Sequence, residues 1–364
     1  MKISDVILLL EEMAHPSLQE SYDNTGLITG NKDWECSGII CSLDATEAVI
    51  AEAIQKKCNL VVAHHPILFK GLKRLNGKNY VERAIIMAIK HDIAIYAIHT
   101  NLDNIISGVN GRIASALGLQ HCNVLLPKHS LLKKLFTFVP NDKTEEVRQA
   151  IFAAGGGHIG NYSECSFNTS GIGTFKAGDN AEPFVGEIGN QHKESETRIE
   201  VIFPVYLEAG IIQAMKAAHP YEEVAYDIVP LSNDHSGIGS GIVGQLSEPM
   251  EESLFLEKIK AVFKVPVVRH TAQIGQLVYK VAICGGAGSF LISSALSSGA
   301  NVFITADMKY HEFFDADGRM MIADIGHYES EQFTISLLQE FLAEKFPNFA
   351  VLKTEVNTNP VHYF

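Results

Sequence analysis

Two adjacent histidines followed by a proline, His64-His65-Pro66, are the residues of this chain that point most directly to chemistry. They come directly after the apolar run 60–63, which predicts a short buried strand. Imidazole nitrogens are the commonest side-chain ligands of zinc and similar metals. Adjacent side chains point to opposite faces of a regular strand, so two neighbouring histidines can meet at one site only where the strand has ended. The proline indicates such an end, because proline cannot continue a central strand.

Two further segments carry metal-ligand residue types directly after predicted strands. The first contains His99 and Asp103, and the second contains His327 and Glu331. Residues four apart on a helix lie on one face, so His327 and Glu331 can grip one ion together. The carboxyl ends of strands gather at one edge of an α/β sheet, and we therefore expect all three segments to form one metal site. Asp103 could bridge two ions about 3.5–4 Å apart.

Each of these signals has a simpler explanation when it is taken alone. A histidine pair is commonly a feature of a surface loop, and a histidine and a glutamate four residues apart commonly form a solvated pair on a helix face. The string from His99 to Asp103 is also typical of a turn, in which asparagine and aspartate bond the local backbone. The coincidence of three such signals at three strand ends favours the shared site.

The composition limits the classes of protein to which this chain can belong. The 364 residues are 46% hydrophobic and 20% charged, which is typical of a globular chain with more than one domain. The net charge of -13 argues against nucleic-acid binding, which needs a basic surface. The six cysteines form no C-x-x-C pair, and no segment reads as a signal peptide or a membrane span. We therefore expect a cytoplasmic protein that does not associate with membranes.

Strands and helices alternate along both outer parts of the chain. Strands are predicted at 38–43, 60–63 and 93–98, and again at 278–284, 301–305 and 320–325, with helices between them. This pattern predicts an α/β domain with parallel βαβ units, in two lobes at 1–127 and 233–364. The middle, 128–232, follows the order β-α-β-β-α-β, which indicates an inserted ferredoxin-like α+β module.

Several strings resemble, in order and over nearly the whole chain, the Nif-three-like family of dinuclear-metal, toroidal hexameric proteins. Members of this family are often labelled GTP cyclohydrolase type-two homologues. The strings are Tyr22-Asp23-Asn24-Thr25-Gly26-Leu27, His64-His65-Pro66, His99-Thr100-Asn101-Leu102-Asp103, Thr305-Ala306-Asp307-Met308-Lys309-Tyr310-His311, Gly326-His327-Tyr328-Glu329-Ser330-Glu331 and Asn357-Thr358-Asn359-Pro360. The segment from His219 to Tyr226 resembles a stretch of the PII- or CutA-like insert of longer members.

The resemblance implies a homohexameric ring in which each chain holds two divalent ions. The implied ligands agree with those selected from the residues themselves, and they are His64, His65, Asp103, His327 and Glu331. Imidazole and carboxylate ligands together suit zinc, iron, manganese or nickel, so the sequence leaves the metal open.

Three functions fit these expectations. The favoured one is a dinuclear-metal-dependent hydrolase, which would act through a metal-bridging hydroxide on a nucleotide ring, as a GTP cyclohydrolase does, or on a phosphoester. His311 or His99 would transfer protons, and Lys309 would hold an anionic substrate. The alternative is a non-catalytic metal-binding ring that acts as a regulator or scaffold. DNA binding through the cavity of the ring is the third, and the acidic charge weighs against it.

Two other segments have less specific patterns. The glycine-rich turn 284–289 follows a predicted strand, where it could bind a phosphate, although a closely packed turn is the favoured interpretation. In the insert, His219, Tyr221 and Glu222 could line a pocket or a subunit contact, and no chemistry is assigned to them.

Overall fold

The structure is a computed structural model that describes residues 1–364. The chain divides into two compact units. The first combines Met1–Pro127 with Gly237–Phe364, and the second is Lys128–Ser236. None of the helices combines the length and the apolar character needed to cross a membrane.

The first unit is built from both outer parts of the chain. Its N-terminal elements are α1 (Ile3–Met13), β1 (Gly26–Thr29), β2 (Ile39–Ser42), α2 (Glu47–Gln55), β3 (Leu60–Ala63), α3 (Tyr80–Lys90), β4 (Ala94–Ala97), α4 (Thr100–Asp103), α5 (Val109–Leu117) and β5 (Gln120–Pro127). The second unit contains β6 (Leu132–Pro140), α6 (Thr144–Ala153), β7 (Phe167–Lys176), β8 (Gln191–Pro204), α7 (Glu208–Ala218) and β9 (Tyr226–Pro230). The C-terminal elements of the first unit are β10 (Gly239–Met250), α8 (Glu252–Phe263), β11 (Arg269–His270), β12 (Val278–Ala287), α9 (Ile292–Ser297), β13 (Val302–Ala306), β14 (Met321–Asp324), α10 (His327–Glu331), α11 (Phe333–Lys345) and β15 (Val351–Lys353).

Two mixed sheets form the first unit, and each takes one strand from the other half of the chain. The order of the first is β1-β4-β3-β2-β15, and that of the second is β11-β14-β13-β12-β10-β5. Thus β15 pairs with β2 in the first sheet, while β5 pairs with β10 in the second. The two halves are therefore interlocked by an exchange of edge strands.

The expected parallel pairing is confirmed for the central strands of each sheet and for the edge strand β15, whereas four other strands pair in antiparallel fashion. Strands β2, β3 and β4 pair in parallel, as do β12, β13 and β14. Strands β1, β5, β10 and β11 pair with their neighbours in antiparallel fashion. Every residue of β2, β3 and β4 is buried, as expected for central strands covered on both faces. Burying each large apolar side chain contributes about 1.5–3 kcal/mol.

The second unit is a four-stranded antiparallel sheet in the order β7-β8-β6-β9. Its two helices pack against one face of this sheet. The core there is formed by Leu135, Val139, Val147, Ile151, Ile199, Val201, Phe203, Ile211 and Met215. Because successive side chains of a strand alternate between faces, the even-numbered residues of β8, such as Glu196 and Arg198, lie on the opposite face.

Candidate metal centre

The histidine pair follows β3 directly, as the sequence predicts. The two imidazole ring centroids lie 4.9 Å apart, so the backbone turn after Ala63 brings both rings to one place. His64 is fully buried, and its Nδ1 donates a hydrogen bond of 2.9 Å to the carbonyl oxygen of Ile98. That bond fixes the tautomer of His64 and leaves Nε2 as a lone-pair donor that faces the other residues of the centre.

Asp103 reaches the same place from α4, the single helical turn that follows β4. Its Oδ1 lies 3.6 Å from Nε2 of His64. Both atoms are buried and neither has a hydrogen-bond partner. Burial, and then the charge of Glu331, raise the pKa of the Asp103 carboxyl well above its ordinary value. Two buried polar atoms without partners are costly, and a cation between them would satisfy both.

His327 and Glu331 lie on one face of α10, which begins three residues after β14 ends. Nε2 of His327 is 3.1 Å from Oε2 of Glu331, and Nε2 of His65 is 2.9 Å from the same oxygen. Oε1 of Glu331 lies 3.9 Å from Nε2 of His64. The carboxylate of Glu331 therefore lies among three imidazoles that come from two different sheets.

The protonation states follow from this arrangement. Burial lowers the pKa of His64 to about 3, so this imidazole is neutral. Burial also opposes charge on His65 and His327, but their hydrogen bonds to carboxylates prevail and raise the pKa values to about 10 and about 9. Burial likewise opposes charge on Glu331, yet the hydrogen bonds from His327 and His65 hold its pKa well below the ordinary range. Metal ions bind by displacing such protons from their ligands.

Carboxylates outside the cluster orient three of the imidazoles. Nδ1 of His65 donates to Asp44 at 2.8 Å, and Nδ1 of His327 donates to Asp307 at 2.7 Å. Nδ1 of His99 is 2.8 Å from Asp23, which the backbone N–H and the hydroxyl of Thr100 also contact. Histidines that bind metals usually donate their second N–H in this way.

Asp44 and Asp23 have no role among the expectations from the sequence. Asp44 stands two residues after β2, so the rule that selected the other residues by their position after a strand would have found it. Asp23 lies in no such position, because it comes before β1, and only a long-range contact brings it to His99. Asp307 belongs to one of the strings that resemble the family, and the structure gives it the contact with His327.

The five predicted metal ligands and His99 come together, but His311 does not join them. Three sets of ligand atoms lie within 4.8 Å of one another, and they are His64 with His65 and His99, His65 with His327 and Glu331, and His64 with Asp103 and Glu331. His311 is exposed on a short 3-10 helix, where its ring contacts Tyr310 and Phe314. Lys309 is also exposed, 3.9 Å from Glu312. Neither residue lines the cavity of the centre.

The glycine-rich turn at the end of β12 packs against the centre. Gly286 has φ of +64°, and a β-carbon there would lie 2.4 Å from Oε1 of Glu331. Its N–H donates to the hydroxyl of Ser330 at 2.9 Å, and the N–H of Gly285 donates to Asn110 at 2.9 Å. These backbone groups already have partners, as expected for a closely packed turn rather than a phosphate site.

A cavity of about 1110 Å³ opens onto the centre. Its lining includes the aromatic residues Tyr22, Phe69, Tyr80, Phe290, Tyr328 and Tyr363. Arg269 is its single lysine or arginine. The C-terminal segment also lines it, where Thr358 donates to Asp44 at 2.6 Å and Asn359 donates to Glu329 at 2.8 Å.

The donor set fits divalent metal ions. It combines two carboxylates with imidazoles that are either neutral or carry a proton that a metal ion can displace. Two of its buried ligand atoms have no other partner. Buried histidine, aspartate and glutamate side chains of the first unit could therefore hold a metal ion.

Comparisons with known proteins identify the family of this chain. The family model Duf34/NIF3 (NGG1p interacting factor 3) matches residues 1–360. A protein of Halalkalibacterium halodurans named "GTP cyclohydrolase 1 type 2 homolog" is 40% identical over 369 residues, covering 99% of each chain. One of the same name from Bacillus subtilis is 39% identical over 368 residues, covering 98% of this chain and 96% of its own. The crystal structure of a Bacillus cereus protein related to NIF3 superposes with a TM-score of 0.88 at 39% identity, covering 100% of this chain and 99% of the other. The chain belongs to the Duf34/NIF3 family.

Proposed function

We propose that the protein is a hydrolase that depends on two divalent metal ions, held by His64, His65, Asp103, His327 and Glu331. One observation supports this proposal more strongly than any other. Nε2 of His64 and Oδ1 of Asp103 are buried without partners, 3.6 Å apart, beside the carboxylate of Glu331. Buried polar atoms rarely lack partners in a purely structural core, so two of them beside a third ligand group favour a bound cation.

Divalent ions bound there supply Lewis acidity toward a carbonyl or phosphoryl oxygen and lower the pKa of a water molecule. The residues of the chain provide the remaining functions. His99 lines the cavity, and Asp23 holds its Nδ1, so Nε2 of His99 is the group that accepts or delivers a proton. We therefore assign the proton-transfer role to His99, whereas the sequence left it open between His99 and His311.

The cavity supports a phosphorylated or nucleotide substrate. Arg269 offers a cationic group to a phosphate, and Tyr22, Phe69 and Tyr328 offer aromatic faces to a base. The volume of about 1110 Å³ is sufficient for a nucleotide. The name of the relatives, "GTP cyclohydrolase 1 type 2 homolog", also supports a nucleotide.

The test is elemental analysis of gently purified protein, followed by a panel of nucleotide and phosphoester substrates with the metal found. We expect two metal ions per chain, and we expect Asp103→Ala to lower metal content and turnover together. Glu312→Gln serves as the control, because this carboxylate lies outside the cavity and should change neither quantity. Turnover by metal-free Asp103→Ala protein would overturn the proposal. Full metal occupancy without turnover on any substrate would instead support the non-catalytic regulatory or scaffold ring.

We also propose that the second unit is a ferredoxin-like module, so that the domains of the protein are 1–127 with 233–364 and the insert 128–232. Its element order β-α-β-β-α-β and its strand order β7-β8-β6-β9 support this assignment.

We further propose a toroidal homohexamer in the cytoplasm, as the family resemblance implies. The exposed aromatic side chains of Phe290, Tyr310 and Phe314 support an interface between copies of the chain. Sedimentation analysis of the purified protein tests this assembly, and a monomer at micromolar concentration would contradict it.

A further inference from the structure

The second unit has a cavity of its own, of about 620 Å³, on the sheet face opposite its helices. Two loops cover this face, one after β7 that carries Ala177 to Phe184 and one after α7 that carries Tyr221 to Ala225. The backbone N–H of Glu182 donates to the carboxylate of Glu222 at 2.9 Å and so joins the two loops. The cavity lies wholly within residues 128–236.

Glu196 is the buried polar group of this cavity, with 8% of its surface exposed. One carboxylate oxygen, Oε1, accepts a hydrogen bond of 2.8 Å from the hydroxyl of Tyr221. No lysine or arginine pairs with Glu196, since the neighbouring Arg198 forms its ion pair with Glu200 at 2.6 Å.

The backbone of β7 makes room for this carboxylate. A β-carbon at Gly173 would lie 2.1 Å from Oε2 of Glu196, so no other residue type fits there while Glu196 holds its position. Gly173 is not in the left-handed region, so the close approach rather than the backbone angle requires glycine at this position.

Tyr221 is also held firmly. Nε2 of His219 donates to the carbonyl oxygen of Phe138 at 2.9 Å, and Nδ1 of His219 accepts the N–H of Tyr221 at 3.1 Å. The ring of Tyr221 lies 6.1 Å from that of Phe175 and 6.3 Å from that of Phe184, with the ring planes inclined by 61° and 52°.

We propose that this cavity binds a small organic cation, with the carboxylate of Glu196 as its counter-charge and the rings of Phe175, Phe184 and Tyr221 around it. Aromatic faces attract alkylated ammonium groups, and a buried carboxylate without a cationic partner adds Coulomb attraction in a poorly hydrated place. Glu222 and Glu223 also line the cavity and strengthen its negative potential. The site is separate from the metal centre and does not depend on the hydrolase proposal.

The test is ligand-observed NMR on the full-length protein with choline as the probe. Dimethylbutanol, the neutral carbon isostere of choline, shows what shape and apolar contact contribute alone. We expect saturable binding of choline and at least about tenfold weaker binding of the isostere. Glu196→Gln should weaken choline binding at least about tenfold, whereas Glu146→Gln, which removes a charge from the exposed surface of α6, should leave it unchanged.

A second variant keeps the test valid if Glu196→Gln does not fold. Phe184 is 49% exposed on its loop, so Phe184→Ala should fold normally and weaken choline binding about threefold or more through loss of one ring. Equal binding of choline and its isostere would overturn the proposal, as would no binding or undiminished binding by folded Glu196→Gln protein.

Discussion

The two cavities of this protein differ in the density of their ligand groups. In the first unit, four imidazoles and two carboxylates from three chain segments lie close together. In the second unit, a single buried carboxylate lies among aromatic rings, and no histidine or cysteine lines the cavity. A crowded set of nitrogen and oxygen donors suits a metal ion, which replaces the protons that the set otherwise binds. A single carboxylate beside ring faces suits a larger, weakly hydrated cation.

The largest expected effect is that of a substitution at Glu331, which should change metal binding in the first unit and leave choline binding in the second unit unaffected. Glu331→Gln removes the carboxylate that three imidazoles face. Losing a residue that only hydrogen-bonds to a metal ligand lowers metal affinity roughly 10–100-fold, and the loss here should be larger. Choline binding should not change. The control is Glu329→Gln on the same turn of α10, where the carboxylate contacts Asn359 instead of imidazoles. Elemental analysis after dialysis measures the result, and retention of metal by Glu331→Gln would remove this residue from the proposed ligands.

The second prediction tests whether the units fold independently. Phe203 is fully buried in the core of the second unit, so Phe203→Ala should destabilise that unit by about 3–5 kcal/mol. Choline binding should weaken or disappear while metal content stays the same. Phe167→Ala, at a side chain that is 66% exposed, is the matched control. Hydrogen exchange read by mass spectrometry locates the loss of protection, and parallel loss of metal would show that the units are coupled.

The third prediction concerns the carboxylates that orient the imidazoles. Asp44→Asn keeps an oxygen near Nδ1 of His65 but removes the charge, and metal affinity should fall about 10–100-fold. Glu47→Gln, three residues further on, faces Arg83 and should have no effect. Competition with a metal indicator measures both constants, and equal affinities would show that Asp44 does not tune the centre.

The smallest effect is a pH dependence confined to the metal centre. In metal-free protein the pKa of His65 is raised to about 10 and that of His327 to about 9, whereas both are about 6.5 in an unfolded chain. The stability that these two protonated histidines give the folded protein is therefore complete below pH 6.5 and is lost as the pH rises through 9 to 10. We expect a loss of about 1–2 kcal/mol between pH 7 and 10, most of it from His65, because His327 is partly exposed to solvent.

Urea unfolding of chelator-treated protein at several pH values measures this loss. His65→Asn should flatten the profile, and His91→Asn, at an exposed helix end, should not. A wild-type profile no steeper than that of His65→Asn would contradict the prediction.

The sequence predicted which polar residues come together better than it predicted the sheets around them. The histidine pair, Asp103 and the pair on α10 all stand directly after parallel strands, so one rule of sheet geometry was enough to associate them. His311 follows β13 as well, but a 3-10 helix carries it to the surface. The rule gives the position of a loop and not the direction in which the loop runs.

The missed elements are the helix α8 and several strands at the sheet edges or next to them. Strand β5 is largely exposed and β10 contains three glycines, so neither shows the continuous apolar run of a buried strand. Strand β15 has only three residues and is defined by its pairing with β2, which lies about three hundred residues away in the chain. Local periodicity contains no information about such a partner.

The exchange of edge strands has a consequence for biosynthesis. While the ribosome is still making the second half of the chain, His64, His65 and Asp103 already exist, but β15 and α10 do not. The nascent first sheet therefore has an unpaired edge at β2, and His65 has not yet met its carboxylate partner Glu331. Contacts across such a separation form slowly, and the exposed edge is open to wrong pairing in the meantime. Binding of the proposed metal ions would thus be a late event for each chain, because it requires that α10 has already docked beside the first sheet.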